Sequence, residues 1–147
     1  MTGRTDGNDG DGRLGVRGIA ARAPASETFA RWGLGAMLVA AGAHKLVDPA
    51  GWTVYVTDWL APWLVVSPTA FMLANGYLEL AFAGALLADR YVAFASFVAT
   101  ASLAATTLYL AVVWATTGAF GDVVARDVGL TALAAAVLVD ELRPPAE

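Results

Sequence analysis

The sequence predicts an all-α membrane protein, a four-transmembrane-helix bundle with a short amphipathic interfacial helix between helices 1 and 2. Three observations predict it. The 147-residue chain is 58% hydrophobic with a mean hydropathy of +0.60, more apolar than soluble domains usually are. Four apolar stretches approach spanning length, at about 29–47, 70–88, 91–114 and 123–139. No ten-residue segments of alternating polarity occur, so a β-barrel is not expected. The length suits one domain, here 28–140, flanked by a tail at 1–27 and a short tail at 141–147.

The N-terminal 27 residues are rich in Gly, Asp and Arg and show no apolar period, which predicts a disordered cytoplasmic tail. No continuous apolar core precedes a cleavage site, so a signal peptide is not expected. Gly10 to Gly15 match G-x-G-x-x-G, but no strand precedes them and no βαβ unit follows. Asp6 to Asp11 faintly resemble a calcium loop, yet Arg17 stands where the closing Glu belongs.

The first span opens with Ser26 as a candidate N-cap and ends at Asp48-Pro49. The next segment carries Trp52, Tyr55, Trp59 and Trp63 at helical spacing, which puts these rings on one helical face despite Pro62. Such a stripe suits a helix lying in the outer headgroup layer, and the same rings could wall a quinone or lipid site. The second span is the nineteen-residue run Ala70 to Ala88, begun by Pro68 and stopped by Asp89-Arg90. The third ends toward Gly118 and Gly121, and the fourth lies before Pro144-Pro145. Ser96, Thr100, Ser102, Thr106 and Thr107 in the third are expected to bond the preceding turn or a neighbouring helix.

Basic residues set the orientation. Arg13, Arg17, Arg22, Arg31, Arg90 and Arg143 fall on one side and only Lys45 and Arg126 on the other. This predicts a multi-pass cell-membrane protein with both termini cytoplasmic.

Glu79 is the tenth residue of its apolar run, about 13 Å below the outer end of its helix. A carboxylate at that depth costs on the order of 3 kcal/mol on insertion scales, so it needs a partner, a proton or a purpose. Lys45, Asn75, Arg126 and Asp127 fall in the same outer half, and the five residues form the expected polar cluster, with Glu79 pairing Lys45 or Arg126. His44 shares that layer on a neighbouring face of its helix. The cluster reads either as a structural network fixing helix register or as the lining of an outward-facing cavity that exchanges a proton or holds a polar head group such as a quinone carbonyl.

Several chemistries are disfavoured. The chain has no cysteine and one histidine, which removes disulfides, Cys-ligated zinc, iron–sulfur clusters and multi-His metal centres. Its net charge of −4 argues against a nucleic-acid partner. No nucleophile–base pair or cofactor fingerprint survives inspection, so no catalytic residue is assigned and autonomous catalysis is not expected.

The stretch Arg31 to Lys45, with its Gly42-x-x-Lys45 ending and Asp48-Pro49 beyond, resembles the opening of DoxX-like membrane proteins. The second helix, with Gly76, Glu79 and Gly84 before a short basic turn, is similar to theirs as well. The resemblance covers residues 28 to 140 and implies a four-helix membrane bundle. Some members of that family are named for association with quinol oxidase or thiosulfate:quinone oxidoreductase complexes. After the fourth helix the Gly-rich, Ser/Asp-containing ending of many members is absent, and Arg126 to Leu130 stand within the last helix instead.

The leading expectation is an accessory or small subunit beside quinone-linked or respiratory redox enzymes, without a metal of its own and with quinone as the candidate ligand. Its expected partners are the lipid bilayer, redox-enzyme subunits and a second copy of the chain. The alternatives are a small-solute or proton-coupled transporter, for which an intramembrane carboxylate is the usual mark, and a purely structural or assembly protein.

Overall fold

The computed structural model describes residues 24–144. The expected N-terminal tail up to residue 23, with its glycine and aspartate motifs, lies outside the described residues, as do residues 145–147. The described residues are all helical, without strands. Four long helices, α1 (Ser26–Val47), α3 (Pro68–Leu87), α4 (Val92–Thr117) and α5 (Gly121–Glu141), are joined by the one-turn α2 (Pro49–Trp52), two 3-10 turns and short loops.

Local chemistry explains most boundaries. Ala25, not Ser26, is the N-cap of α1, because Ser26 is already helical and its hydroxyl turns to Glu27 Oε2 at 3.3 Å. Asp48 closes α1 by donating its backbone N–H to His44 O (2.8 Å), and its side chain starts α2 by accepting from Gly51 N at 3.1 Å. One residue thereby turns the chain, with Pro49 beyond it unable to continue the ladder. Ser67 caps α3, its Oγ accepting from Ala70 N at 3.2 Å, and Pro68 takes the first helical position. That cap moves the start of α3 two residues before the apolar run. Gly118 ends α4 at φ +78°, a backbone conformation that costs glycine nothing.

The single amphipathic helix expected across Trp52 to Trp63 does not form. In its place stand α2 and 3-10 turns at Thr53–Tyr55 and Ala61–Trp63. The cause lies partly outside the segment. Tyr109 of α4 donates its hydroxyl to Tyr55 O (3.0 Å), lies 2.8 Å from Thr57 Oγ1 and accepts from Thr57 N at 3.3 Å. Backbone groups that a continuous helix would pair internally are tied to α4 instead, and Pro62 has no N–H to give.

Two antiparallel pairs build the fold. α1 meets α3 through Gly42 and Gly76, where a Cβ added to Gly42 would lie 2.8 Å from Gly76 O. Only two glycines allow the backbones so near. The same register sets Gly35 against Leu87 and Arg31 against Asp89. α4 meets α5 through a Thr107–Thr131 hydroxyl contact at 3.3 Å. As expected, hydroxyls of α4 bond the preceding turn: Ser96 to Val92 O, Thr100 to Ser96 O and Thr107 to Leu103 O, each at 2.7 Å.

Leu34, Leu38, Ala83, Leu86, Val92, Ala95, Ala99, Ala134 and Val137 form the main core, to which all four long helices contribute at one end. At the other end Leu110, Val123 and Val124 make a separate cluster against Tyr55, Tyr109 and Phe120. The polar residues of the site lie toward this second end, beside the α1–α3 pair.

Candidate functional site

In a helix every Cα–Cβ bond tilts toward the N-terminus. In an antiparallel pair, side chains one turn C-terminal to a close contact therefore lean back toward it from both helices. Lys45 lies one turn beyond Gly42 and Glu79 one turn beyond Gly76, so the glycine contact aims one at the other. Lys45 Nζ reaches Glu79 Oε1 at 2.5 Å. The Lys45 side chain is 9% exposed and that of Glu79 24%, so water screens the pair weakly. Glu79 Oε2 is buried and accepts no hydrogen bond from the described residues.

An indole completes the site. Lys45 Nζ lies 4.2 Å from the centre of the Trp52 ring, a cation–π contact. Trp52 Nε1 donates to His44 Nδ1 at 2.7 Å, and the two rings meet edge to face. Tyr55 packs edge-on against Trp52 and, tilted, against Phe120, which opens α5. Carboxylate, ammonium, indole and imidazole thus follow one another from the helix pair toward the exposed His44. The arrangement offers a donor, an acceptor and an aromatic plate within one small volume.

The other expected members are placed elsewhere. Asn75 turns its amide to Phe71 O of its own helix at 3.0 Å. Arg126 pairs with its neighbour Asp127, Nε to Oδ1 at 2.9 Å; the Asp127 side chain is 6% exposed and that of Arg126 53%. No ion pair links Arg126 or Asp127 to Lys45 or Glu79, and the charges form two local pairs. Among the expected aromatics, Trp59 stacks on Tyr109 with an interplanar angle of 11°, and Trp63 is exposed.

Three features escaped the sequence reading. His44 joins the site through Trp52, because α2 folds back over the last turn of α1. Tyr109 anchors the aromatic segment from the far side. Arg31 pairs with Asp89 across the α1–α3 register, beside a cleft of about 140 Å³ rimmed by Glu27, Asp140 and Glu141 at the opposite end from Glu79. The periodic Gly42 and Gly76 were the available signal for the last, since their contact sets the register.

α3 and α4 are long and apolar enough to cross a membrane. Large apolar side chains also point outward from each long helix, among them Phe29 and Trp32, Tyr77 and Leu78, Phe97 and Leu108, and Val128. A water-soluble fold rarely exposes so much apolar surface, whereas lipid covers it at no cost. These features define a helical membrane protein. A family model described as DoxX matches residues 27–115, from the start of α1 to near the end of α4, and the chain belongs to that family. No curated protein and no solved structure matches it.

Proposed function

We propose that all four long helices cross the cell membrane with both chain ends cytoplasmic, and that the protein is a small subunit serving quinone-linked redox enzymes, with no metal of its own. The outward apolar side chains on α1 and α5 as well as on α3 and α4 support four crossings. The basic residues support the orientation.

The observation that carries the functional reading is the buried Lys45–Glu79 pair beneath Trp52. Lys45 can donate to a quinone carbonyl, Glu79 Oε2 can accept from a quinol hydroxyl, and the indole can stack on the ring. The family resemblance supports the partner class. Arg126 and Asp127 contribute a second polar contact on α5, and Asn75 stands one turn above Glu79.

The test is to purify the full chain in mild detergent, extract it for quinone and identify copurifying subunits. Quinone and a quinone-reacting enzyme subunit are expected above a mock preparation, with less quinone in Lys45→Met. If neither accompanies the wild type, the proposal fails.

A further inference from the structure

Trp52 covers Lys45, the sole lysine, and its indole N–H is bonded to an exposed imidazole. We propose that His44 is a proton-operated latch. In its neutral form it holds Trp52 closed over the Lys45–Glu79 pair, and on protonation it releases the indole and opens the pair to the outer side. The inference rests on the reading of this pair as a binding site and names its regulation.

The geometry dictates the direction. Trp52 Nε1–H can only donate, so His44 Nδ1 must present a lone pair at 2.7 Å. A protonated ring would carry N–H there, and two donors would face each other. It would also set a positive charge against the electropositive N–H edge of an indole whose face already contacts the Lys45 ammonium.

The charged groups around His44 are already engaged. On α1, Asp48 stands four residues beyond His44 as the C-cap, and its Oδ1 accepts from Gly51 N. From α3 the facing charge is Glu79, which is bound to Lys45. On α5, Arg126 and Asp127 are bound to each other. The segment after α2 faces Trp52 with the Tyr55 ring. The backbone of α2 can stay in place meanwhile, because Asp48 caps it at Gly51 and not through Trp52. Opening is then a side-chain swing.

The test uses the full chain labelled with 5-fluorotryptophan in lipid nanodiscs, followed by fluorine NMR from pH 5 to 8, the range in which imidazoles titrate. Trp52→Phe identifies the Trp52 signal among the five tryptophans. That signal should move with a one-proton profile in wild type and in Glu79→Gln. It should stay fixed in His44→Gln, whose carbonyl accepts from the indole and does not titrate. A signal that does not move, that moves equally in His44→Gln, or that stops moving in Glu79→Gln would overturn the latch.

The second readout is reductive methylation of Lys45, the sole lysine, at pH 7.5. It should be several-fold faster in Trp52→Ala, and faster in the milder Trp52→Phe, than in wild type, with helix content unchanged. Equal rates would show that the indole does not cover the amine and would also overturn the proposal. Neither readout needs quinone. Failure of the quinone extraction with a pH-dependent Trp52 signal therefore defeats the proposed function alone, and the converse result defeats the latch alone.

Discussion

Replacing Lys45 by methionine removes the cation from beside Glu79 and keeps most of the side-chain volume. At 2.5 Å and an effective dielectric constant of about 20, the attraction in the pair is about 7 kcal/mol. Burying each ion costs several kcal/mol, so the intact pair contributes little net stability. The single variant loses the attraction and keeps the cost of the carboxylate, a destabilisation of about 3–5 kcal/mol. Glu79→Leu should cost less, about 1–3 kcal/mol, because the lysine keeps its indole contact and its long stem can reach toward the outer surface. The double variant Lys45→Met with Glu79→Leu should unfold within about 1 kcal/mol of wild type, since apolar replacement of a buried pair is often neutral. The cycle should thus yield a coupling of about 4–8 kcal/mol, the sum of the two single losses with the double variant near zero. Reversible unfolding by SDS titration in mixed micelles, followed by helical circular dichroism, measures all four proteins. Lys45→Met as stable as wild type, or a double variant no better than Lys45→Met, would refute the reasoning.

Gly42→Ala should destabilise by about 1–3 kcal/mol in the same titration, because its Cβ would meet a backbone oxygen that cannot step aside, whereas Gly84→Ala, with open space around it, should be neutral or slightly stabilising. Tyr109→Phe removes the hydroxyl that ties Tyr55 and Thr57 to α4; it should cost about 1 kcal/mol and speed hydrogen exchange at the Thr57 amide. Tyr91 sits at φ +54°, so Tyr91→Asn should be tolerated while Tyr91→Val loses about 1–2 kcal/mol in melting measurements. The chain has no cysteine, so single cysteines report topology directly: in intact cells Val65→Cys should react with an impermeant maleimide and Arg90→Cys should not, and the opposite pattern would invert the orientation.

The helices themselves were legible in the sequence, because their causes are local. Long apolar runs, the Ser67-Pro68 start, the Asp48-Pro49 stop and the glycine at 118 act within a few residues of where they stand. Their bounds moved by only a few residues in the structure. The aromatic segment was misread for the complementary reason. Its spacing fits a helix, but its backbone partners lie on Tyr109, 52 residues from Thr57. No local period records a contact of that kind.

The site divides along the same line. The sequence by itself determined that a carboxylate at Glu79 needs a partner and that Lys45 and Arg126 stood within reach. Only the tertiary structure chose between them. Two glycines bring α1 against α3 closely enough for Lys45 to meet Glu79, and Arg126 stays with Asp127 on α5. The structure alone also laid Trp52 over the pair and bound it to His44, because that depends on where α2 turns after Asp48. Membrane insertion and helix formation are properties of single segments. Which charge finds which partner depends on helix neighbours, and a linear sequence does not state those.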